Sequence, residues 1–309
     1  MNSAEVINPV SHRYYNPVVD AIKDRVYLEL SSMVKVLNST ATRSPFTDIF
    51  STLNALLDDA AFLLNTGAIN PFINIRTSPD QAQPPVTDST LRIGVYPVAA
   101  NPFHWAHLLI GLSALTMFNL DSVIYIIAGN DPRKPALITP QIRHRMGKKV
   151  VALFAPFFKY SPIALDNDLD GEANIFKILA LNPQQKIDAH YIVGADHYQR
   201  INPATGALDT IQKLEDNIKY KLYGFDEMLH RISAIFIKRG AIKQSVSTFL
   251  DVSFIPEMPF AASSTIIRDA FQGRQPVDLL GLLPYTAFKF ADCFQPGRQL
   301  LSLDALEMN

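Results

Sequence analysis

Apolar positions in the first 65 residues recur at helical spacing and predict two amphipathic helices. The first is predicted over residues 16–38, where Asn16 is a candidate N-cap and Pro17 suits the first turn. The second is predicted over residues 47–65. The two apolar stripes must be buried on the rest of the chain, over the rim of a site, or in an oligomer interface. They contain Val19, Ile22, Val26, Leu30, Val34, Leu53, Leu56, Leu57, Phe62 and Leu63.

The pattern changes after TSPDQAQPPVTDS, residues 77–89, in which three prolines and many small polar residues are typical of a linker. We therefore predict a helical N-terminal extension and linker over residues 1–88 and a larger domain over residues 89–309.

Short apolar runs alternate with helical patterns through the larger segment. SVIYIIAG, residues 122–129, is continuously apolar, as in a parallel strand covered on both faces. This alternation predicts an α/β fold with a doubly wound parallel sheet, in which ligands bind beyond the carboxyl ends of the strands. The predicted strands are residues 91–97, 122–129, 159–165, 189–196, 233–240 and 252–256, and the predicted helices are residues 104–118, 139–154, 172–181, 210–230, 263–272 and 276–292.

Composition narrows the choice of partners. The chain has 309 residues, of which 48% are hydrophobic and 18% charged, and its net charge of −1 gives no overall attraction to nucleic acid or anionic membrane. Cys293 is the one cysteine, which fits a reducing compartment. The N-terminus does not have the layout of a secretory signal, and no apolar run is long enough to span a membrane, so we predict a cytoplasmic protein.

NPFHWAH, residues 101–107, lies where the first predicted strand leads into a helix. His104 and His107 are three positions apart and would share one helix face in the first turn, where free backbone N–H groups attract anions. This favours a phosphate site. The alternative is that His107 caps or packs while His104 lies in solvent. A zinc site is disfavoured because the spacing of a zinc protease helix is absent and no third ligand is evident.

SSTIIR, residues 263–268, is a second candidate anion site. Ser263 or Ser264 can cap the helix, Thr265 adds a hydroxyl, and Arg268 lies one turn further on, where its planar fork could reach a phosphate. The alternative is an ordinary capped helix with a surface arginine.

Other candidates follow two predicted strands. YIVGAD ends a strand with Gly194 and Asp196, which could allow a close approach of ligand and accept from a ribose hydroxyl, although a Gly-Asp turn is common. NDPRKP supplies Lys134 and its arginine neighbour on a loop at the same rim, with a solvated turn as the alternative. Arg143 and Arg145, on the next helix, have the pattern of surface charges.

The ordered series of strand, N-P-x-H-x-x-H, basic loop, G-x-D and S-S-T-x-x-R resembles the nucleotidylyltransferase superfamily. Within it, residues 91–292 are most similar to the nicotinate or nicotinamide mononucleotide adenylyltransferases. The resemblance implies a Rossmann-like nucleotidylyltransferase domain over residues 89–309. It also implies transfer of AMP from ATP to a small phosphate-bearing acceptor, release of pyrophosphate, a place in NAD biosynthesis, and Mg²⁺ accompanying ATP.

The resemblance implies specific residue roles as well. His104, His107 and Arg268 would be catalytic, with the two histidines stabilising the transition state on the ATP phosphates. Tyr198 could stack on the acceptor's pyridine ring. The implied ATP-binding set is Asn101, His104, His107, Lys134, Gly194, Asp196, Ser264, Thr265 and Arg268.

Two alternatives to this function stay open. Val98 stands where the family has a glycine that lets backbone amides approach phosphate, which would suit a catalytically weakened nucleotide-binding or regulatory protein. A sister enzyme with another acceptor, such as phosphopantetheine, or one that transfers a cytidylyl group, would use the same phosphate clamp. A homo-oligomer is also compatible with the sequence.

Overall fold

A computed structural model gives the fold of the chain. It describes residues 14–37, 44–130, 137–166, 171–198, 200–201, 204–206, 208–238 and 248–294.

Six parallel strands form one sheet in the order β3-β2-β1-β4-β5-β6. The chain winds outward from β1 in one direction and then returns to wind outward in the other, which confirms the predicted doubly wound α/β fold. The topological switch lies between β1 and β4, where such sheets form their ligand crevice. The strands are β1 Leu91–Val98, β2 Ser122–Ile127, β3 Phe158–Ser161, β4 Ile187–Gly194, β5 His230–Ile237 and β6 Asp251–Ile255.

Helices cover both faces of the sheet. They are α1 Pro17–Val36, α2 Ser44–Asn65, α3 Trp105–Met117, α4 Pro140–Val151, α5 Gly171–Ala180, α6 Ala195–Tyr198, α7 Asp209–Lys219, α8 Ser264–Phe271 and α9 Tyr285–Phe288. Short 3₁₀ turns cover Ala152–Phe154, Leu222–Gly224, Val277–Leu282 and Ala291–Phe294.

The helix predicted over residues 210–230 is too long. Helix α7 ends at Lys219, and the chain then turns through left-handed residues at Lys221, Tyr223 and Gly224 before β5 begins at His230. Each positive φ breaks the helical hydrogen-bond pattern, so apolar spacing alone placed the end of the helix too late.

Alternating side chains of each strand enter two separate cores. One core lies under α3, α4 and α8 and receives Val123, Tyr125 and Ile127, while the other lies under α5 and α7 and receives Ile124 and Ile126. All six residues of β2 are buried, as its uninterrupted apolar run predicts for a strand covered on both faces.

The N-terminal helices pack onto the first of these cores. Buried side chains of α1 and α2 belong to the same cluster as the buried residues of α3 and α4. Asn16 caps α1 by accepting from the N–H of Val18 at 3.0 Å. The buried carboxylate of Glu29 accepts from both the backbone N–H and the hydroxyl of Thr286, at 2.6 and 2.8 Å. The helical extension is therefore tied to the C-terminal part of the fold, and the domain boundary near residue 88 stays a prediction.

The proline-rich segment, residues 77–89, and the residue before it are hydrogen-bonded to the turn between α5 and β4. The side chain of Asn182 accepts from the N–H of Arg76 and donates to its carbonyl, at 2.9 and 3.0 Å. Gln185 accepts from the N–H of Thr87 and donates to the carbonyl of Ser89. Two side-chain amides thus satisfy backbone groups that would otherwise need water. In the part of the chain that the structure describes, no helix is both long and apolar enough to cross a membrane.

Removing the Glu29 anchor should destabilise the fold. Glu29→Gln leaves one of the two partly buried Thr286 donors without its acceptor, so we expect a loss of about 1–3 kcal/mol in the free energy of unfolding. Urea denaturation measures it. Asp24→Asn is the matched control, because it makes the same charge change at an exposed position of α1. Equal loss in both variants would contradict the anchor.

Stability should also fall in mild acid. Burial, with help from the positive charge of Arg143, lowers the pKa of His144 to about 4, while its Nδ1 lies 2.6 Å from the Tyr160 hydroxyl. In the unfolded chain the imidazole is protonated near pH 6.5, whereas in the folded chain it is protonated only near pH 4. The contribution of His144 to stability is therefore complete above pH 6.5 and is lost as the pH falls towards 4. We expect it to be of order 3 kcal/mol.

His144→Asn removes the titrating group and should flatten this part of the stability curve. Urea midpoints at pH 7 and pH 4.5 test it. If wild type and variant lose the same stability between the two pH values, His144 is not the responsible group.

Candidate functional site

A cleft of ≈ 750 Å³ opens at the carboxyl edge of the sheet. It lies where a doubly wound sheet is expected to bind a ligand. Its walls come from the ends of β1, β4 and β5, the start of α3, and the segment that leads into α8. The described lining includes His104, His107, Gly194, His197, Lys238, Glu257, Ser264, Thr265 and Arg268.

His104 and His107 stand together at the start of α3. Their rings stack with centroids 3.8 Å apart and planes 29° from parallel. The backbone N–H of His104 donates to Nδ1 of His107 at 3.3 Å. Because that nitrogen accepts, the proton of the neutral ring lies on Nε2, which makes Nε2 a donor. His104 is only 4% exposed, so the expectation that it would lie in solvent under the packing alternative does not describe this structure.

The SSTIIR segment forms the start of α8, which also lines the cleft. Ser263 is the N-cap, and its hydroxyl accepts from the N–H of Ile266 at 3.2 Å. The Ser264 hydroxyl donates to the carbonyl of Pro102 at 3.0 Å. The two helix starts that the sequence singled out separately are therefore hydrogen-bonded to each other.

Arg268 strengthens this connection. One Nη donates to the carbonyl of Asn101 at 2.6 Å, and the other donates to the Thr265 hydroxyl at 3.1 Å. Partial burial lowers the pKa of its guanidinium while Asp269 opposes the change, yet an arginine keeps its charge at neutral pH. A positive charge is thus held between the helix starts at the cleft wall.

Asn101 shapes the turn between β1 and α3. Its side-chain oxygen accepts from the N–H of Ile138 at 3.1 Å, just before α4. The preceding residue, Ala100, is fully buried and left-handed, with φ of 52°. Val98 lies within β1, and its carbonyl accepts from the N–H of Ala128. The conformation that favours glycine in this turn is therefore adopted at Ala100, two residues after Val98.

Arg143 was predicted to be a surface charge, and this prediction is wrong. The side chain is 0% exposed and donates to four backbone carbonyls, one in the β1–α3 connection and three at the two ends of the β2–α4 connection. Its acceptors are Ile138 at 2.9 Å, Ala99 at 2.9 Å, Ala128 at 2.6 Å and Gly129 at 2.6 Å. The sequence did contain a signal, since Arg143 is four residues before the small Gly147 and eight before the apolar Val151, on the buried face of α4.

The remaining predicted residues divide into three groups. Gly194 ends β4 and lines the cleft. Asp196 lies in the short helix α6, but its side chain is outside the described residues, as is the whole of Lys134. Tyr198 lies apart from the cleft: it is 4% exposed and packs edge-on against Phe236 and Phe254, with centroids 4.8 and 5.3 Å away. The aromatic core holds its ring, so it is not positioned to stack on a ligand.

Three polar residues of the lining had no motif in the sequence. They are Lys238, just after β5, Glu257, beyond β6, and His197, in α6. Each follows a strand at the carboxyl edge, and this position is the signal that could have identified them. The cleft brings imidazoles, hydroxyls and a guanidinium at two helix starts together with the Lys238 ammonium and the Glu257 carboxylate. The helix starts and the cationic groups suit a polyanionic ligand. Within the described residues, no group of three or more His, Cys, Asp or Glu side chains could hold a metal ion.

Comparison with known sequences gives relatives named nicotinate-nucleotide adenylyltransferase. A "Probable nicotinate-nucleotide adenylyltransferase" of Thermoanaerobacter sp. is 27% identical over 201 residues, covering 62% of this chain and 87% of the relative. The nicotinate-nucleotide adenylyltransferase of Bacillus subtilis is 25% identical over 192 residues, covering 61% of this chain and 90% of the relative. No protein-family model matches the chain.

Among solved structures, the Plasmodium falciparum nicotinic acid mononucleotide adenylyltransferase in complex with NaAD is similar at a TM-score of 0.44 and 13% identity. The match covers 66% of this chain and 97% of that one.

The charged pocket should bind inorganic tripolyphosphate, and Arg268 should account for part of the affinity. Arg268→Lys puts a single ammonium in place of a planar guanidinium that reaches two partners. We therefore expect the dissociation constant for tripolyphosphate to rise roughly tenfold. Isothermal titration calorimetry measures it. Arg274→Lys is the control, because Arg274 pairs with Asp269 just outside the cleft. The assignment fails if both variants bind tripolyphosphate as the wild type does.

Proposed function

We propose that this chain, a member of the nucleotidylyltransferase superfamily, transfers AMP from ATP to nicotinate or nicotinamide mononucleotide and releases pyrophosphate. One observation carries the proposal: the starts of α3 and α8 face one cleft and are linked through Ser264 and Arg268. Two helix N-termini offer backbone N–H groups and positive dipole ends to one extended anion. A triphosphate is such an anion.

The reaction requires little acid–base chemistry. A phosphate oxygen of the acceptor mononucleotide attacks the α-phosphorus of ATP, the bond from that phosphorus to the bridging oxygen breaks, and pyrophosphate leaves with the electron pair. The nucleophile is already an anion, so no base has to remove a proton. The work left to the protein is to align the two phosphates and to neutralise charge.

The described residues divide this work between two walls. In this proposal His104 and His107 would hold the α-phosphate against the start of α3, with Nε2 of His107 donating to its oxygens. Ser264, Thr265 and Arg268 would hold the departing β- and γ-phosphates. Gly194, at the end of β4, leaves room for the nucleoside beside the strand ends.

Magnesium would accompany ATP. Mg²⁺ in nucleotide sites keeps several water ligands and is held largely by phosphate oxygens, which does not require a dedicated cluster of protein ligands. Glu257 is a carboxylate in the described lining that could bind its water shell. The ion would supply charge neutralisation on the leaving pyrophosphate.

The alternative of a binding protein without turnover was motivated by Val98. Its side chain is 5% exposed and belongs to the core under α3, and the left-handed turn that follows is made by Ala100. Val98 also lines the cleft, so the assay described below decides between turnover and binding alone. The acceptor is less constrained, because Tyr198 is not available to stack on a pyridine ring, and both mononucleotides remain candidates.

Purified protein with ATP and Mg²⁺ should release pyrophosphate when nicotinate or nicotinamide mononucleotide is added, and His107→Ala should lower kcat by about 10²–10³-fold. A coupled pyrophosphate assay measures both. His190→Asn is the control, since His190 lies on β4 away from the cleft lining and should leave kcat unchanged.

Parallel reactions with phosphopantetheine, and with CTP in place of ATP, separate the sister activities. ATP binding without turnover of any acceptor would replace the proposal with the binding protein. Normal turnover in His107→Ala would remove the histidine from the phosphate clamp.

A further inference from the structure

Arg143 forms the centre of a hydrogen-bond network beneath the cleft. Its four acceptors lie in the turn after β1, the turn after β2, and the segment that leads into α4. In a parallel sheet these turns converge at the carboxyl edge, where they form the floor of the ligand crevice. A single guanidinium therefore joins three pieces of backbone at this edge of the sheet, and one of them, at Ala99, lines the cleft.

The network continues from Arg143 to the cleft itself. Arg143 donates to the carbonyl of Ile138, and the N–H of Ile138 donates to the side chain of Asn101. The carbonyl of Asn101 in turn accepts from Arg268. The buried arginine and the arginine of the cleft wall are thus connected by three successive hydrogen bonds through Ile138 and Asn101.

The same guanidinium restrains a strained residue. It binds the carbonyl of Ala99, directly before Ala100, whose φ of 52° is unfavourable for a residue with a side chain. Such a conformation persists only where the surroundings fix it. After Ala100 the chain passes through Asn101 to His104, so the direction of this turn sets where the histidine pair begins.

Stability alone does not explain a guanidinium at this place. Moving a charged group out of water is costly, and apolar replacements of buried charges are often as stable or more so. An arginine does offer five N–H donors in a planar fork, which lets one side chain reach several carbonyls at fixed angles. A lysine has the same charge without this geometry.

We infer that Arg143 is a positioning residue for the adenylyl-transfer site, which fixes the β1–α3 turn so that Asn101 and His104 face the phosphates. This inference rests on the proposed function. Arg143 makes no contact with substrate in this inference. The residue acts through the carbonyls of Ala99 and Ile138.

The test compares Arg143→Lys with Lys148→Gln, a change at an exposed position of the same helix. Urea denaturation gives the folded fraction of each protein, and kcat and the KM for ATP are then measured per folded molecule. We expect kcat of Arg143→Lys to fall by about tenfold to a hundredfold, more than its KM rises, because misaligned reacting groups lose rate. Lys148→Gln should match the wild type.

A purely structural role would lower stability and leave kcat of the folded fraction unchanged, and that outcome overturns the inference. If Arg143→Lys does not fold, the measurements are repeated in an Ala100→Gly background, where glycine relieves the left-handed strain, against Ala100→Gly alone.

The two proposals can fail separately. If the wild type turns over no mononucleotide, the proposed function fails, and equilibrium binding of ATP then decides the role of Arg143. An affinity about threefold weaker or more in Arg143→Lys supports the positioning role. Unchanged affinity overturns it.

Discussion

Backbone carbonyls at the carboxyl edge of the sheet are the constraint on which the site depends. Strands β1 and β2 end side by side, and the carbonyls of the residues that follow them meet the buried guanidinium of Arg143. Each buried carbonyl needs a donor, or folding loses more than a hydrogen bond contributes. Arg143 supplies donors to Ala99, Ala128 and Gly129 together. The same hydrogen bonds fix the turn after β1, whose residue Ala99 lines the cleft.

The N-terminal helices cover the outer face of α3. Helix α3 is apolar nearly all round, so one face packs on the sheet and the other must be covered by something else. Helix α2 provides that cover, and α1 packs beside it within the same core. Glu29 then holds the start of α9. The extension is thus part of the support of α3, the helix whose first turn carries the histidine pair.

The elements of the fold could be predicted from the sequence because burial leaves a periodic trace. The continuous apolar run of β2 and the helical spacing of α1 are direct consequences of which faces are covered. The end of α7 is marked less clearly, because only Gly224 of the left-handed residues Lys221, Tyr223 and Gly224 is typical of a turn. Tyr198 was misjudged for another reason: its partners Phe236 and Phe254 lie on strands that come 38 or more residues later. Only the tertiary fold brings them together.

The motifs indicated which residues meet, and the structure adds how they are held. His104 and Arg268 are 164 residues apart in the sequence, and each alone has an ordinary structural interpretation. What distinguishes them is that Asn101 and Pro102 accept hydrogen bonds from α8 while leading directly into α3. The wall that carries the arginine and the wall that carries the histidines therefore cannot shift independently. A nearly neutral chain can in this way hold the guanidinium of Arg268 between two helix starts, and charges fixed before binding stabilise an anion without a cost of reorganisation.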